Sequence, residues 1–498
     1  MATGWDVIVC GAGTAGMPCA IFAARRGARV LVLEQSDRVG GTLYVSGGQM
    51  AAAGTRPQKA LGIQDSPDRH YGEVMRISKN GAHAKLARLA VDGAADSLHW
   101  LLDNGFQLTP GHPTISFGHE PYEVPRTHWG VENGISILKA MKPEFDAEIA
   151  KGRITIRFKT EVVGLMQEKS GGAVKGVVAR TGDGRREEIP GQNVVLMTGG
   201  YGRNRQLFPL FSGGYPLYGG LANEQSQGTG LTLGLMAGSE LWGTDSYMPT
   251  FAGINDPREP WRQIIGTVTT PQLRQPWEIF VGRDGKRFVR EDDPSVDARE
   301  HALLSMPHLT FWAVYDQGIA KSAPPFFVNL NLLALDDSGS GKVEGASSQD
   351  IVDRSYNSVD GWHRADSIEA LGKLAGIDPA GLAATVAAYN QSVLSKKDGL
   401  GRTHLPMAIA KPPFYAVRHH GVAVVSFAGL AVSDRLQVLR RDGTPIPNLY
   451  AAGEVLGKSL LSGKSFVGGM SVLPSITFAR LLGSQVLQWQ GARSAAAE

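Results

Sequence analysis

At 498 residues the chain exceeds what one compact core holds, so two packed lobes are expected. With 42% hydrophobic and 19% charged residues, its composition is globular rather than disordered or fibrous. Fifty basic against 47 acidic residues leave a net charge of +3 with no dense basic run, which excludes the positive stripe a nucleic acid would need, and no apolar run approaches the ~18 residues that read as a membrane span.

Four residues precede the apolar strand Trp5-Asp6-Val7-Ile8-Val9-Cys10, too few for a signal peptide. Arg25-Arg26 closes a helix rather than opening an export signal, so a soluble, cytoplasmic protein is expected. Cys10 and Cys19 fall on that strand and the following helix and read as small buried thiols. There is no paired-cysteine redox motif, and no metal site is expected.

The strand runs into Gly11-Ala12-Gly13-Thr14-Ala15-Gly16, and a helix is expected up to Gly27. Gly11 permits the tight turn, Gly13 lets the backbone approach a pyrophosphate, and Gly16 lets helix pack on strand. The helix start then offers free N–H groups and a positive dipole end to phosphates. Pro18 is tolerable there, because first-turn N–H groups lack intrahelical partners anyway. A second apolar run, Ala28 to Leu33, ends in Glu34, placed to accept ribose hydroxyl hydrogen bonds. Strand, helix, second strand and terminal acid together make a dinucleotide-binding unit.

The segments beyond Glu34 favour FAD over NAD. Gly40-Gly41-Thr42 and Ser46-Gly47-Gly48 let the backbone run against a large flat ligand. Later an apolar strand opens into Thr198-Gly199-Gly200, and another into Gly453-Glu454. Ala15 and Val162 complete the expected cofactor contacts.

In order and in kind these pieces resemble the flavoprotein family of fumarate reductases and succinate dehydrogenases, which includes the 3-ketosteroid dehydrogenases. The likeness covers nearly the whole chain and includes Gln58 to Ser66, Gly285-Lys286-Arg287-Phe288-Val289, and Leu449 to Val455. It implies an α/β architecture: a Rossmann-type FAD-binding domain built from both chain ends (1–240 and 414–498) with an inserted α+β capping domain (241–413). The middle is broken by Pro and Gly and is turn-rich from Asp336 to Asp350, which agrees. The resemblance also places the backbone around Gly469, Ser471 and Val472 at the pyrimidine end of the flavin, with a helix beginning near Gly468 to Val472. No histidine stands at the linking position near Thr42 to Ser46, so FAD is expected to be non-covalent. One dinucleotide loop is visible, so an external electron donor or acceptor is expected: another protein, a quinone, a dye-like acceptor or oxygen.

Fumarate reductases hold a dicarboxylate with histidine and arginine. By resemblance those positions fall here on Met248, on Ser295 or Val296, on Val425, and on Ser465 or Phe466, with Arg299 able to restore one of them. Loss of the clamp implies a less charged substrate, a neutral or bulky ketone desaturated beside its carbonyl, or the reverse enone reduction. Such chemistry needs a donor to the carbonyl, a base for the α-proton and a flavin to take the hydride. Tyr122 is the first candidate for base or proton relay, and Tyr247 a second candidate for the cleft. Phe466 falls where ketosteroid dehydrogenases carry the polarising tyrosine, so Ser462, Lys464, Ser465 or the backbone at Gly469 would supply the donor. His119 and His128 flank the Tyr122 loop; Arg126 contacts substrate or pairs with Glu123; His419-His420 read as structural. Two alternatives stay open. One is a soluble reductase of a small unsaturated acid, with a rearranged clamp of Arg126, Lys464 and Arg299; the other is a flavoprotein electron carrier.

Overall fold

The computed structural model describes residues 4–169, 171–219, 222–251, 253–255, 263–328 and 348–489. Most of the expected turn-rich stretch, 336–347, lies outside the described residues. The first unit is β1 (Trp5–Cys10), α1 (Gly16–Arg25) and β2 (Val30–Leu33). Val7 to Cys10 and Val30 to Leu33 are almost completely buried, as strands covered on both faces of a parallel sheet must be. β1 and β2 pair in parallel with Val7 opposite Val30. β3 (Ile154–Arg157) extends the sheet beside β2, and β4 (Arg186–Leu196) lies on the other side of β1.

The middle of the chain builds a second sheet around β5 (Thr310–Asp316) and β6 (Phe414–Val422), with Val314 opposite Ala416. It is antiparallel throughout, adding Thr250–Phe251, Ile279–Val281 and Trp362–Ala365. Trp312, Trp362, Leu371, Leu382 and Tyr389 fill its own core.

The chain then returns. β7 (Pro445–Ala451) lies parallel to β4, with Leu449 opposite Val194, so a strand from near the end of the chain completes the sheet begun at Trp5. α2 (Val472–Leu481) packs against α1. Arg26 fastens the two ends by donating to Gly483 O at 3.1 Å and Leu487 O at 2.9 Å. Asn193 does the same between Asp6 O and Gln488 O. No described helix is long and apolar enough to cross a membrane.

Candidate cofactor cavity and substrate end

The carboxyl ends of β1, β2, β4 and β7 open on one cavity of about 720 Å³. Open parallel sheets hold their ligands in this position. From the first loop, Gly11, Gly13 and Ala15 line it. A Cβ built on Gly13 would meet nothing within 4 Å, so its backbone is bare toward the cavity. Ala15 at the N-cap of α1 supplies no side-chain cap; Met17 N–H donates to Gly13 O at 3.3 Å, and the N–H groups of Ala15 and Gly16 are left for a ligand. Glu34 is held by its neighbours: one carboxylate oxygen accepts from Ala12 N–H at 2.8 Å, the other from the Ser36 N–H and hydroxyl, each at 2.8 Å.

Gly41, Thr42, Ser46 and Gly47 form a further part of the wall, as do Val162, Thr198 and Gly199. Gly453 and Glu454 enter from the end of β7, and Ser471 and Val472 from the start of α2. The Glu454 carboxylate accepts from Ser426 N–H at 3.0 Å, and burial raises its pKa against that bond. Gly16, Gly48, Gly200 and Gly469 lie off the wall and hold neighbours close. A Cβ on Gly16 would stand 1.8 Å from Gly11 O, and one on Gly469 2.6 Å from Ala51 N. The donor set fits FAD: bare glycine backbone and an uncapped helix start for the pyrophosphate, and a fixed carboxylate for a ribose. In addition, the buried Thr198 hydroxyl on the wall has no partner among the described residues.

Two parts of the wall escaped sequence reading. Residues 222–226 line the cavity, with Asn223 donating to Gly41 O at 3.0 Å and Gln35 to Gln225 O at 3.1 Å. The glycine pair around Thr229, with Gly228 at φ +82 before a helix start, was the available signal. The other is Lys458, a buried lysine in an otherwise apolar stretch. Its ammonium donates to Val467 O at 2.7 Å and to Ser471 Oγ at 3.1 Å. Burial lowers its pKa to about 7.

At the positions of the expected clamp, Met248 and Phe466 are buried and Val425 lines the cavity. Ser295 caps the helix Val296–Leu303 and donates to Glu120 at 3.0 Å. The cations that could rebuild a clamp are engaged separately. Arg299 donates to Thr269 O and lies over the Phe251 ring at 5.5 Å, with burial lowering it to about 10. Arg126, fully buried, pairs with Asp65 at 3.0 Å and Glu73 at 2.8 Å rather than with Glu123. Lys464 is exposed and pairs with Asp245 at 2.6 Å.

Tyr122 is buried, donates to Gly468 O at 2.7 Å and lies under the Arg126 guanidinium at 4.9 Å. Burial raises its phenol well above the ordinary value, so it stays protonated. Tyr247 sits among Phe208, Tyr215 and Phe427, its hydroxyl without a partner among the described residues and its pKa likewise raised by burial. Ser465, also buried, lies near enough to Asp297 to help lower its carboxyl, yet outside hydrogen-bonding geometry. His119 stacks on Phe466 at 3.5 Å and holds Glu300 at 3.0 Å, and Glu300 in turn accepts from the Thr250 hydroxyl. Tyr122, Tyr247, Ser465 and Gly469 therefore stand outside the cofactor cavity wall, in the packed region beside it. His128 contacts Thr55 at 3.2 Å, and His419 and His420 are held within the second sheet.

Residues 6–472 match the family described as FAD binding domain. The chain is 26% identical over 489 residues to a probable fumarate reductase of Shewanella frigidimarina, covering 96% of this chain and 74% of that one. It is 24% identical to a vinyl phenol reductase of Lactiplantibacillus plantarum, covering 90% and 89%. Among solved structures, 3-ketosteroid Δ1-dehydrogenase of Sterolibacterium denitrificans, in complex with 1,4-androstadiene-3,17-dione, superposes with a TM-score of 0.74 at 20% identity, covering 98% of this chain and 100% of that one.

Proposed function

From a chain that belongs to the FAD binding domain family, we infer an FAD-dependent oxidoreductase that interconverts CH–CH and C=C bonds beside the carbonyl of a neutral, bulky or cyclic ketone. FAD in the cavity supplies the two-electron oxidant or reductant. The single observation that carries the substrate class is the missing carboxylate clamp. Met248, Val425 and Phe466 stand at its expected positions, Arg126 and Lys464 are paired with carboxylates, and Arg299 donates to the Thr269 carbonyl. A dicarboxylate in a dry cleft would meet no histidine or arginine at those positions, and much of its desolvation would go uncompensated.

The chain's own residues divide the remaining work. Tyr247, packed beside the cavity with its hydroxyl unpartnered among the described residues, is the donor assigned to the carbonyl. His119, oriented by Glu300 and held flat on Phe466, handles the proton at the neighbouring carbon. Tyr122 and the backbone at Gly469 hold the turn before α2 in place. Residues 241–413, which supply much of the second sheet, serve as the cap that keeps water from the reacting carbons. An external donor or acceptor exchanges electrons with the protein.

Anaerobic mixing of the oxidised holoprotein with saturated cyclic ketones, 3-oxosteroids among them, tests this reading, with succinate as control. Bleaching of the oxidised flavin band by a ketone and not by succinate is the expected result. Bleaching by succinate alone would overturn it.

A further inference from the structure

Lys458 is a cation of the cavity wall to which the ketone chemistry gives no role. It is 5% exposed, and its hydrogen-bond acceptors are neutral: a carbonyl oxygen and a hydroxyl. Among the described residues it forms no ion pair with a carboxylate. Its ammonium also lies 4.6 Å from the centre of the Phe466 ring, whose electron-rich face accommodates a charge without neutralising it. Burying a lone ammonium in this way costs several kcal/mol unless something compensates it. No described carboxylate does so, and burial accordingly lowers the lysine to about 7.

The position of the ammonium indicates what would compensate it. Its acceptor Ser471 stands at the N-cap of α2 and gives the helix no side-chain cap, so the first-turn N–H groups and the positive dipole end remain turned to the cavity. Lys458 lines the same wall as Leu456, Gly457, Leu460, Val424 and Val425. The Lys458 amine, which a bound anion would hold in its ammonium form, and a helix N-terminus thus converge on one end of a cavity built for FAD. Adding two electrons and one proton to FAD leaves one negative charge on its ring system. We infer that Lys458 is the fixed charge partner of the reduced cofactor, favouring the reduced over the oxidised state. This makes it a positioning and tuning residue rather than an acid or base, and the assignment rests on FAD filling the cavity, not on the substrate class.

The test is an equilibrium titration of the purified holoprotein against reference dyes, following the flavin absorbance. Lys458→Met is expected to shift the two-electron equilibrium at least tenfold toward the oxidised form, which is a drop of about 30 mV or more in potential. Lys458→Arg keeps the charge and is expected to stay within about threefold of the parent. Should Lys458→Met release FAD, Lys458→Gln retains a donor without the charge and is compared with Lys458→Arg instead. Equal potentials for the charged and uncharged variants would overturn the assignment. A lowered potential in an enzyme that no ketone bleaches would leave Lys458 its role and overturn the ketone reading alone.

Discussion

The cavity's loop end and the packed region around Phe466 are built on opposite principles. At the loop end the functional groups are mostly backbone: bare glycine, the open start of α1 and one carboxylate, Glu34, whose two oxygens are tied to Ala12 and Ser36. Around Phe466 they are side chains drawn from segments hundreds of residues apart: His119 and Tyr122 from one loop, Tyr247 and Glu300 from the middle, Lys458 from beyond the returning strand. Backbone geometry tolerates little substitution and suits a cofactor; side-chain geometry can be re-dressed and suits the proposed substrate end.

Breaking the side-chain region should show in rate before it shows in cofactor binding. His119→Gln is expected to lower turnover about 10²- to 10⁴-fold while the protein still purifies yellow, measured by steady-state kinetics and flavin content. An unchanged rate would remove His119 from the chemistry. Arg126→Met should act on stability instead. Its removal strands Asp65 and Glu73 in the interior, an expected loss of about 3–5 kcal/mol in a urea titration.

The difference between the regions also explains what was legible in the sequence. The cradle could be read because glycine and a terminal acid at fixed spacing carry a backbone requirement that few other arrangements share. Gly11, Gly13 and Glu34 all reach the wall. Lys458 could not be read that way, since a lysine among Leu456, Leu460 and Leu461 looks like any helix residue until the fold shows that it is buried. Arg126 illustrates the same limit. Substrate or its neighbour in sequence, Glu123, was the expected partner, but the loop folds inward and meets Asp65 and Glu73 from segments more than fifty residues away. The parallel strand β7 was legible as an apolar run ending in glycine, whereas its place beside β4 comes from the return of the chain.

Acid titration sharpens the contrast further. Burial lowers both His128 and His419 to about 4. Both rings are buried, His419 with its Nδ1 against Val417 O at 2.9 Å. In the unfolded chain the same rings titrate near 6.5, so between about 6.5 and 4 the unfolded state binds more protons. Their contribution is therefore complete above about pH 6.5 and is lost as the pH falls toward 4. Thermal or urea unfolding across that window should show a loss of about 1–3 kcal/mol for each ring, reduced in His128→Phe. The smallest effect belongs to the cradle's one side chain. Glu34→Ala frees the Ala12 and Ser36 N–H groups and removes the ribose acceptor, with FAD affinity expected to fall about tenfold to a hundredfold by equilibrium dialysis.

The proposed function requires that this cavity open on a site for a neutral carbonyl compound rather than a dicarboxylate. The most direct measurement runs the reaction in reverse: holoprotein reduced anaerobically is mixed with a cyclic enone or with fumarate, and reoxidation of the flavin is followed by its absorbance. Fast, saturable reoxidation by the enone and none by fumarate is the predicted result. Reoxidation by fumarate and not by the enone would contradict the account, because it would require a carboxylate clamp that Met248, Val425 and Phe466 do not provide.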